Sequence, residues 1–94
     1  MLAPQARRDL LAAAGWIAKE NPSAAVALRD AVIAAATRIG KHPRIGALRT
    51  ELAPQSIRFL VVSGFPYGIV YDADREQALS LRVLHGAREL LRDL

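Results

Sequence analysis

Apolar and polar positions in the first forty residues recur with the period of an α-helix. Over 4–21, alanine, leucine and isoleucine return every three or four residues, and most charged residues lie elsewhere around the helix. A similar pattern fills 22–40. Between the two segments, Asn21 suits an N-cap and Pro22 suits the first helical position. The pattern therefore predicts two helices that form an antiparallel hairpin, with Gly40 ending the second.

The second half of the chain has the shorter, alternating pattern of β-strands. Three such runs occupy 56–63, 67–72 and 78–85, and short turn segments separate them. The intervening 41–55 contains prolines and a glycine and is predicted to be a basic loop, and 86–94 is predicted to be a short C-terminal helix. These elements predict an α+β fold, in which an N-terminal αα-hairpin packs on a small antiparallel β-sheet.

Strict alternation along the last strand gives it two different faces. The apolar face is expected to cover the hairpin, and it carries Leu79, Leu81 and Val83. Arg82 then belongs to the opposite face, together with Ser80 and Leu84. There it either contacts a partner or forms an ion pair with an acid such as Asp72 or Glu89. On the first helix, Trp16 is predicted to be a core residue rather than an exposed contact.

Length and composition limit the classes of protein that the chain can represent. Ninety-four residues make one domain, 1–94, and a hydrophobic content of 52% is sufficient for a core. Cysteine is absent and only two histidines are present, so we expect no disulfide, metal site or cofactor. We find no stretch that resembles a membrane span or a secretion signal, and a cytoplasmic location is expected.

The net charge of +4 is concentrated in the middle of the chain. Residues 37–58 contain Arg38, Lys41, Arg44, Arg49 and Arg58 against the single acid Glu51. A positive segment of this kind attracts nucleic acid or an acidic protein, and it is equally typical of a solvated loop. Charge alone does not distinguish these interpretations.

Four motifs in the order of the chain resemble the RelE/ParE superfamily of type II toxin–antitoxin toxins. They are Asn21-Pro22 with Ala25, Pro43 with Gly46, the Y-x-I-V-Y run at 67–71, and RVLHGARE at 82–89. The ending is similar to the one characteristic of the ParE branch, which is therefore the closer. Members of the family usually open with a full strand, whereas only Met-Leu-Ala precedes Pro4. Either the first strand is very short or the start of the chain trims it.

The resemblance to the RelE branch implies a ribonuclease as the alternative function. In RelE-like enzymes, which cut messenger RNA on the ribosome, a late-strand arginine and a C-terminal histidine or tyrosine assist cleavage. Arg82 and His85 match these positions. Gly68, however, stands where RNA-cutting relatives often have arginine, and no tyrosine follows His85. A histidine before a glycine is also commonly a structural hydrogen-bonding residue. The catalytic set is incomplete, and a non-enzymatic toxin is favoured.

The resemblance to the ParE branch implies a plasmid-stabilisation toxin that inhibits DNA gyrase and is neutralised by a ParD-like antitoxin. Such an antitoxin wraps a helix and an extended tail around the toxin, and a homodimer or a heterotetramer with the antitoxin fits. The expected target- or antitoxin-binding residues are Arg58, Arg82, His85 and Arg88, with Arg44 and Arg49 on the basic loop. The alternatives are a ribosome-dependent mRNA endoribonuclease and a non-toxic homologue that acts as a binding module.

Overall fold

Two helices precede a four-stranded sheet in the computed structural model, which describes residues 2–48, 56–74 and 79–86. The elements are α1 (Pro4–Ala18), α2 (Pro22–Lys41), β1 (Ala47–Leu48), β2 (Ile57–Val61), β3 (Tyr67–Asp72) and β4 (Leu79–His85). The predicted α+β fold, with a helical hairpin followed by an antiparallel sheet, is confirmed. Most of the predicted C-terminal helix lies outside the described residues.

The helix ends follow from local chemistry, with one exception. The side chain of Asn21 accepts a hydrogen bond of 3.1 Å from the backbone N–H of Ala24, as expected of an N-cap. The predicted end at Gly40 is wrong, because α2 continues through Lys41 and His42 occupies the C-cap. A glycine ends a helix by adopting positive φ, and among the described residues only Gly64 and Gly86 do so.

The sheet has the order β1-β2-β3-β4, and each neighbouring pair is antiparallel. Three of these strands lie where alternation predicts them. The fourth, β1, is a correction, because 47–48 falls within the segment predicted to be a loop. Ala47 pairs with Phe59 and Leu48 with Arg58, so this two-residue strand attaches the basic segment to the edge of the sheet.

A β-bulge at Leu81 overturns the simple alternation predicted for β4. Arg82 pairs with Val70, but Ser80 rather than Leu81 pairs with Tyr71. The extra residue places Ser80 on the same face as Val83, towards the helices. Arg82 stays on the opposite face, as predicted. Ser80 is only 1% exposed, and its hydroxyl oxygen has no hydrogen-bond partner among the described residues.

The main core lies between the helical hairpin and one face of the sheet. Its fully buried side chains include Leu28, Val32 and Ile39 of α2 and Ile69 and Tyr71 of β3. A smaller cluster on the other face of the sheet joins Val70 and Leu84 to the partly buried Ile57 and Phe59. Side chains alternate along β3, so that Tyr67, Ile69 and Tyr71 all face the main core.

The prediction that Trp16 is a core residue is wrong, since 71% of it is exposed. The buried stripe of α1 is formed by Ala6, Leu10 and Ala13, and Trp16 lies roughly a quarter turn away from that stripe. Its ring is exposed to solvent, with the Lys19 ammonium 5.0 Å from the ring centroid. The largest aromatic surface of α1 therefore does not contribute to the core.

The chain before α1 contributes one bridge to the sheet rather than a full strand. Leu2 pairs in parallel with Ser80, and the Ala3 N–H donates a 2.8 Å hydrogen bond to the Ser80 carbonyl. This agrees with the expectation of a very short first strand. In the described residues, neither helix is long and apolar enough to cross a membrane.

Candidate functional site

One carboxylate, that of Asp9, joins α1 to the outer edge of β4. Its oxygens accept hydrogen bonds from Arg82 Nε at 2.8 Å and Arg82 Nη2 at 3.2 Å, and from the Val83 backbone N–H at 3.0 Å. Both side chains of the ion pair are mostly buried, with 12% of the Asp9 side chain and 29% of the Arg82 side chain exposed. Asp9 therefore satisfies an edge N–H of β4 and binds the guanidinium in two-point geometry.

The environment of Asp9 favours its ionised form. Burial by itself raises the pKa of this carboxyl. The hydrogen bonds from Arg82, Val83 and Gln5, together with the Arg82 charge, outweigh that effect and hold the pKa below its ordinary value of 3.8. The Asp9–Arg82 pair is consequently fully charged at neutral pH, and it acts as a structural contact between the helix and the strand.

A groove runs between α1 and β4 beside this ion pair. It has a volume of about 410 Å³, and Asp9, Trp16, Tyr67 and His85 are among its lining residues. The His85 and Tyr67 rings meet edge to face, with centroids 5.1 Å apart and planes at 87°. Trp16 also borders a second cavity of about 340 Å³ at the turn of the helical hairpin. An exposed indole between two cavities is well placed to anchor a protein partner.

A second group of contacts lies towards the opposite edge of the sheet from β4. There, side chains of β2 and β3 bind the backbone of the segment 43–46. The Tyr71 hydroxyl donates to the Pro43 carbonyl at 2.6 Å and accepts from the Gly46 N–H at 2.8 Å. Arg58 Nη1 donates to the carbonyls of Gly46 at 2.7 Å and Arg44 at 3.2 Å. Arg58 and Tyr71 are register partners, so two adjacent side chains fix one loop.

Gly68 is explained by packing against an aromatic ring. A Cβ atom at this position would lie 2.1 Å from Cζ of Phe59, far inside contact distance. The position at which RNA-cutting relatives often carry arginine is thus a glycine here, and the Phe59 ring fills the space that a longer side chain would need. A glycine within a strand often marks a bulge or a close approach of backbone, whereas at Gly68 the approaching group is the Phe59 side chain.

The structure separates the predicted binding residues into two groups. Arg82 and His85 both belong to the α1–β4 side, where Arg82 forms an ion pair with Asp9, an acid that the sequence did not indicate. Glu89, one of the acids suggested as its partner, lies outside the described residues. Arg58 and the exposed Arg44 lie on the β1–β2 side. Arg49 and Arg88 fall outside the described residues. Sequence reasoning missed Asp9. This residue directly follows two arginines in an ordinary amphipathic helix, and nothing in that pattern marks it as a tertiary contact.

No group of three or more histidine, cysteine, aspartate or glutamate side chains that would suit a metal ion occurs within 2–48, 56–74 and 79–86. The contacts observed at the two sites are hydrogen bonds, an ion pair and apolar contacts. Each site uses its arginine to fix the backbone or a neighbouring helix.

Comparison with known proteins agrees with this architecture. A solved structure described as the chromosomal ParDE TA system from P. aeruginosa is similar in fold, with a TM-score of 0.77 over 90% of this chain and 91% of that chain, at 17% sequence identity. No curated protein sequence matches the chain significantly. Residues 1–90 match the family described as the ParE toxin of the type II toxin–antitoxin system, parDE. The chain belongs to the ParE toxin family of type II toxin–antitoxin systems.

Proposed function

We propose that this toxin acts as a protein inhibitor of DNA gyrase, without breaking bonds itself, and that a ParD-like antitoxin neutralises it. The observation that carries the proposal is the Asp9–Arg82 ion pair. The arginine that best matches a nuclease position is held by a carboxylate at 2.8 Å, and its charge is already compensated. An arginine used against the developing charge of a phosphorane needs that charge for its substrate.

The surroundings of His85 support the same proposal. Its ring packs edge-on against Tyr67, and it belongs to the helix-facing side of the sheet, whereas Arg82 starts from the other face. Phe59 occupies the space above Gly68, so position 68 contributes no basic side chain. These contacts favour a surface that recognises a macromolecule by shape and charge.

For the antitoxin, the helical hairpin offers apolar side chains that the toxin alone leaves in solvent. The exposed fractions are 67% for Leu11 and 71% for Trp16 on α1, and 52% for Val26 and 51% for Ile33 on α2. An amphipathic helix of the antitoxin would cover such positions and insert side chains beside Trp16. The solved relative is described as a ParDE system, which supports a partner of the same type here.

The target is tested by inducing the chain alone in bacteria. Accumulation of cleaved gyrase–DNA complexes with a DNA damage response is the expected result. Cuts in messenger RNA at defined codon positions would overturn the proposal, particularly if Arg82→Ala and His85→Ala abolished the cuts and left the fold intact. Normal growth would instead identify a non-toxic homologue that serves as a binding module.

The antitoxin is tested by co-expression with the product of an adjacent small reading frame. We expect a complex that survives purification and in which Trp16→Ala weakens binding by roughly tenfold or more, as for other aromatic anchors. Val61→Ala is the matched control, because Val61 is 63% exposed but lies on β2, away from the hairpin. Equal losses in the two variants would exclude Trp16 as an anchor.

A further inference from the structure

The segment 42–46, between α2 and β1, is fixed much more firmly than an exposed connection requires. Tyr71 is fully buried, and its hydroxyl bridges the Pro43 carbonyl and the Gly46 N–H. Arg58 adds two hydrogen bonds to carbonyls of the same segment. Four backbone groups are therefore bound by two side chains of the sheet, and the loop has a defined shape before any partner arrives.

Gly46 allows this close attachment. A Cβ atom at Gly46 would lie 2.7 Å from the Tyr71 hydroxyl oxygen and 3.0 Å from the Phe59 carbonyl oxygen. Only glycine lets the backbone approach the hydroxyl so closely. The loop therefore depends on a matched set of three residues, Gly46, Arg58 and Tyr71, none of which displays its own functional group on the outer surface of the loop.

The outer surface of the loop is positively charged. Lys41, His42 and Arg44 are exposed, and with Pro43, Ile45 and Ala73 they line an open cavity of about 630 Å³. Within the described ranges, no acid forms an ion pair with Lys41 or Arg44. Basic residues in the last turn of a helix compensate its dipole, which accounts for Lys41. Arg44 lies beyond the helix and has no such explanation.

The one acid of β3, Asp72, belongs to the other face of the sheet. Asp72 pairs in register with Ile57, on the face opposite to Arg58 and Tyr71, and its carboxylate accepts a hydrogen bond from the Asp74 N–H. Arg58 itself binds only carbonyl oxygens in its observed hydrogen bonds, so its positive charge adds to that of the loop.

We infer that this loop surface is a preformed site for an acidic segment of the antitoxin that also carries an apolar side chain, and that Tyr71 and Arg58 are its positioning residues. The inference rests on the proposed antitoxin. Lys41 and Arg44 supply the charge, while Ile45 and Ala73 supply the apolar contact. No described aromatic side chain lines the cavity, so the stacking surface that single-stranded nucleic acid requires is lacking there.

A stripe of exposed apolar residues on α2 extends from the turn of the hairpin towards this loop, and an antitoxin bound along it would reach the loop. Val26 and Ile33 are seven residues apart and share a face, and Gly40, seven residues further, continues that face with open space above it. A partner that covers this stripe from the Trp16 end would reach Lys41 after about 30 Å, the length of a twenty-residue helix. Its following segment would then meet the basic loop.

The test measures the dissociation constant between the full-length toxin and the product of the adjacent reading frame by titration calorimetry at two salt concentrations. The double variant Lys41→Gln/Arg44→Gln is expected to bind about tenfold more weakly and to lose most of the salt dependence. The matched control, Arg7→Gln/Arg8→Gln, removes the same charge from exposed positions on α1 and is expected to bind within about twofold of the wild type.

The positioning role is tested with Tyr71→Phe, which keeps the ring and removes both loop hydrogen bonds. Faster hydrogen exchange at the Gly46 amide and about threefold weaker binding with unchanged salt dependence are expected. Equal affinities of the two double variants would overturn the inference even though the antitoxin binds, and the proposed function would stand. Failure of the wild-type toxin to bind would overturn the proposed antitoxin, and this inference with it.

Discussion

At the two opposite edges of the sheet, β4 on one side and β1–β2 on the other, an arginine is used in different ways. On the β4 side, Arg82 binds the carboxylate of Asp9, and the pair carries no net charge. On the β1–β2 side, Arg58 binds carbonyl oxygens of Arg44 and Gly46, and its charge persists. Both arrangements fix the backbone. Only the second leaves a positive field at the surface, and that field lies beside further basic residues.

The comparison teaches that a partly buried arginine is not by itself evidence for a binding or a catalytic site. What matters is the group that it meets. A carboxylate cancels the charge of the arginine, as Asp9 does for Arg82, and the ion pair then serves as a brace, a structural contact that joins α1 to β4. A backbone carbonyl takes a hydrogen bond without cancelling the charge, so the same residue type shapes a loop and contributes to electrostatic attraction.

The largest effect is expected on the β4 side, from Asp9→Ala. The substitution removes three hydrogen bonds to Arg82 and Val83 and takes the Asp9 carboxylate away from the Arg82 charge. We expect the free energy of unfolding to fall by about 2–3 kcal/mol. Urea unfolding followed by circular dichroism measures it. A loss below about 0.5 kcal/mol would mean that the brace contributes little to the fold.

A smaller loss is expected on the β1–β2 side, from Tyr71→Phe. The ring remains in the core, but the Pro43 carbonyl and the Gly46 N–H lose the hydroxyl. We expect a loss of about 1–2 kcal/mol, because water reaches the edge of this loop and compensates in part. The same urea titration measures it. If Tyr71→Phe proved more damaging than Asp9→Ala, the loop rather than the brace would be the principal tertiary contact.

The charge state of Asp9 gives a third test, through pH. Its pKa is depressed in the folded protein, so ionisation contributes stability that is present above the unfolded pKa and is lost as pH falls through the folded pKa, below 3.8. At pH 7, Asp9→Asn is expected to be less stable than the wild type. The difference should shrink as the pH falls below about 4. A constant difference between pH 7 and pH 2.5 would contradict this assignment.

The smallest effect is expected from Asp30→Ala, which removes an ion pair on the surface of α2. Arg29 and Asp30 are 3.7 Å apart, with 61% and 65% of their side chains exposed. We expect a change within about 0.5 kcal/mol, since solvent screens such pairs. This variant is the matched control for Asp9→Ala. A loss as large as that of Asp9→Ala would indicate a general sensitivity to charge rather than a specific brace.

Periodicity predicted the helices and three of the four strands because each signal is local. The helical stripe, the cap at Asn21 and the alternation of β3 all depend on neighbours within one element. The bulge at Leu81 was not predictable, because the sequence of a strand does not show which of its residues lacks a register partner on the neighbouring strand. The missed strand β1 has only two residues, too few to show a period.

The site was less predictable than the fold because its contacts join distant positions. Asp9 and Arg82 are 73 residues apart, and Tyr71 reaches segments 25 and 28 residues away. Nothing in the local pattern selects Asp9 over Asp72 as the partner of Arg82. Trp16 was misassigned to the core because its size favours burial, whereas the small residues of α1 already fill the interface with the sheet.

The exposed position of Trp16 has a practical consequence for spectroscopy. It is the only tryptophan, and 71% of it is in contact with solvent in the folded chain. Its fluorescence emission should therefore resemble that of the unfolded protein and should report poorly on denaturation. A partner that covers the indole would shift the emission to shorter wavelengths. The protein thus carries an intrinsic optical reporter that responds to docking far more than to folding.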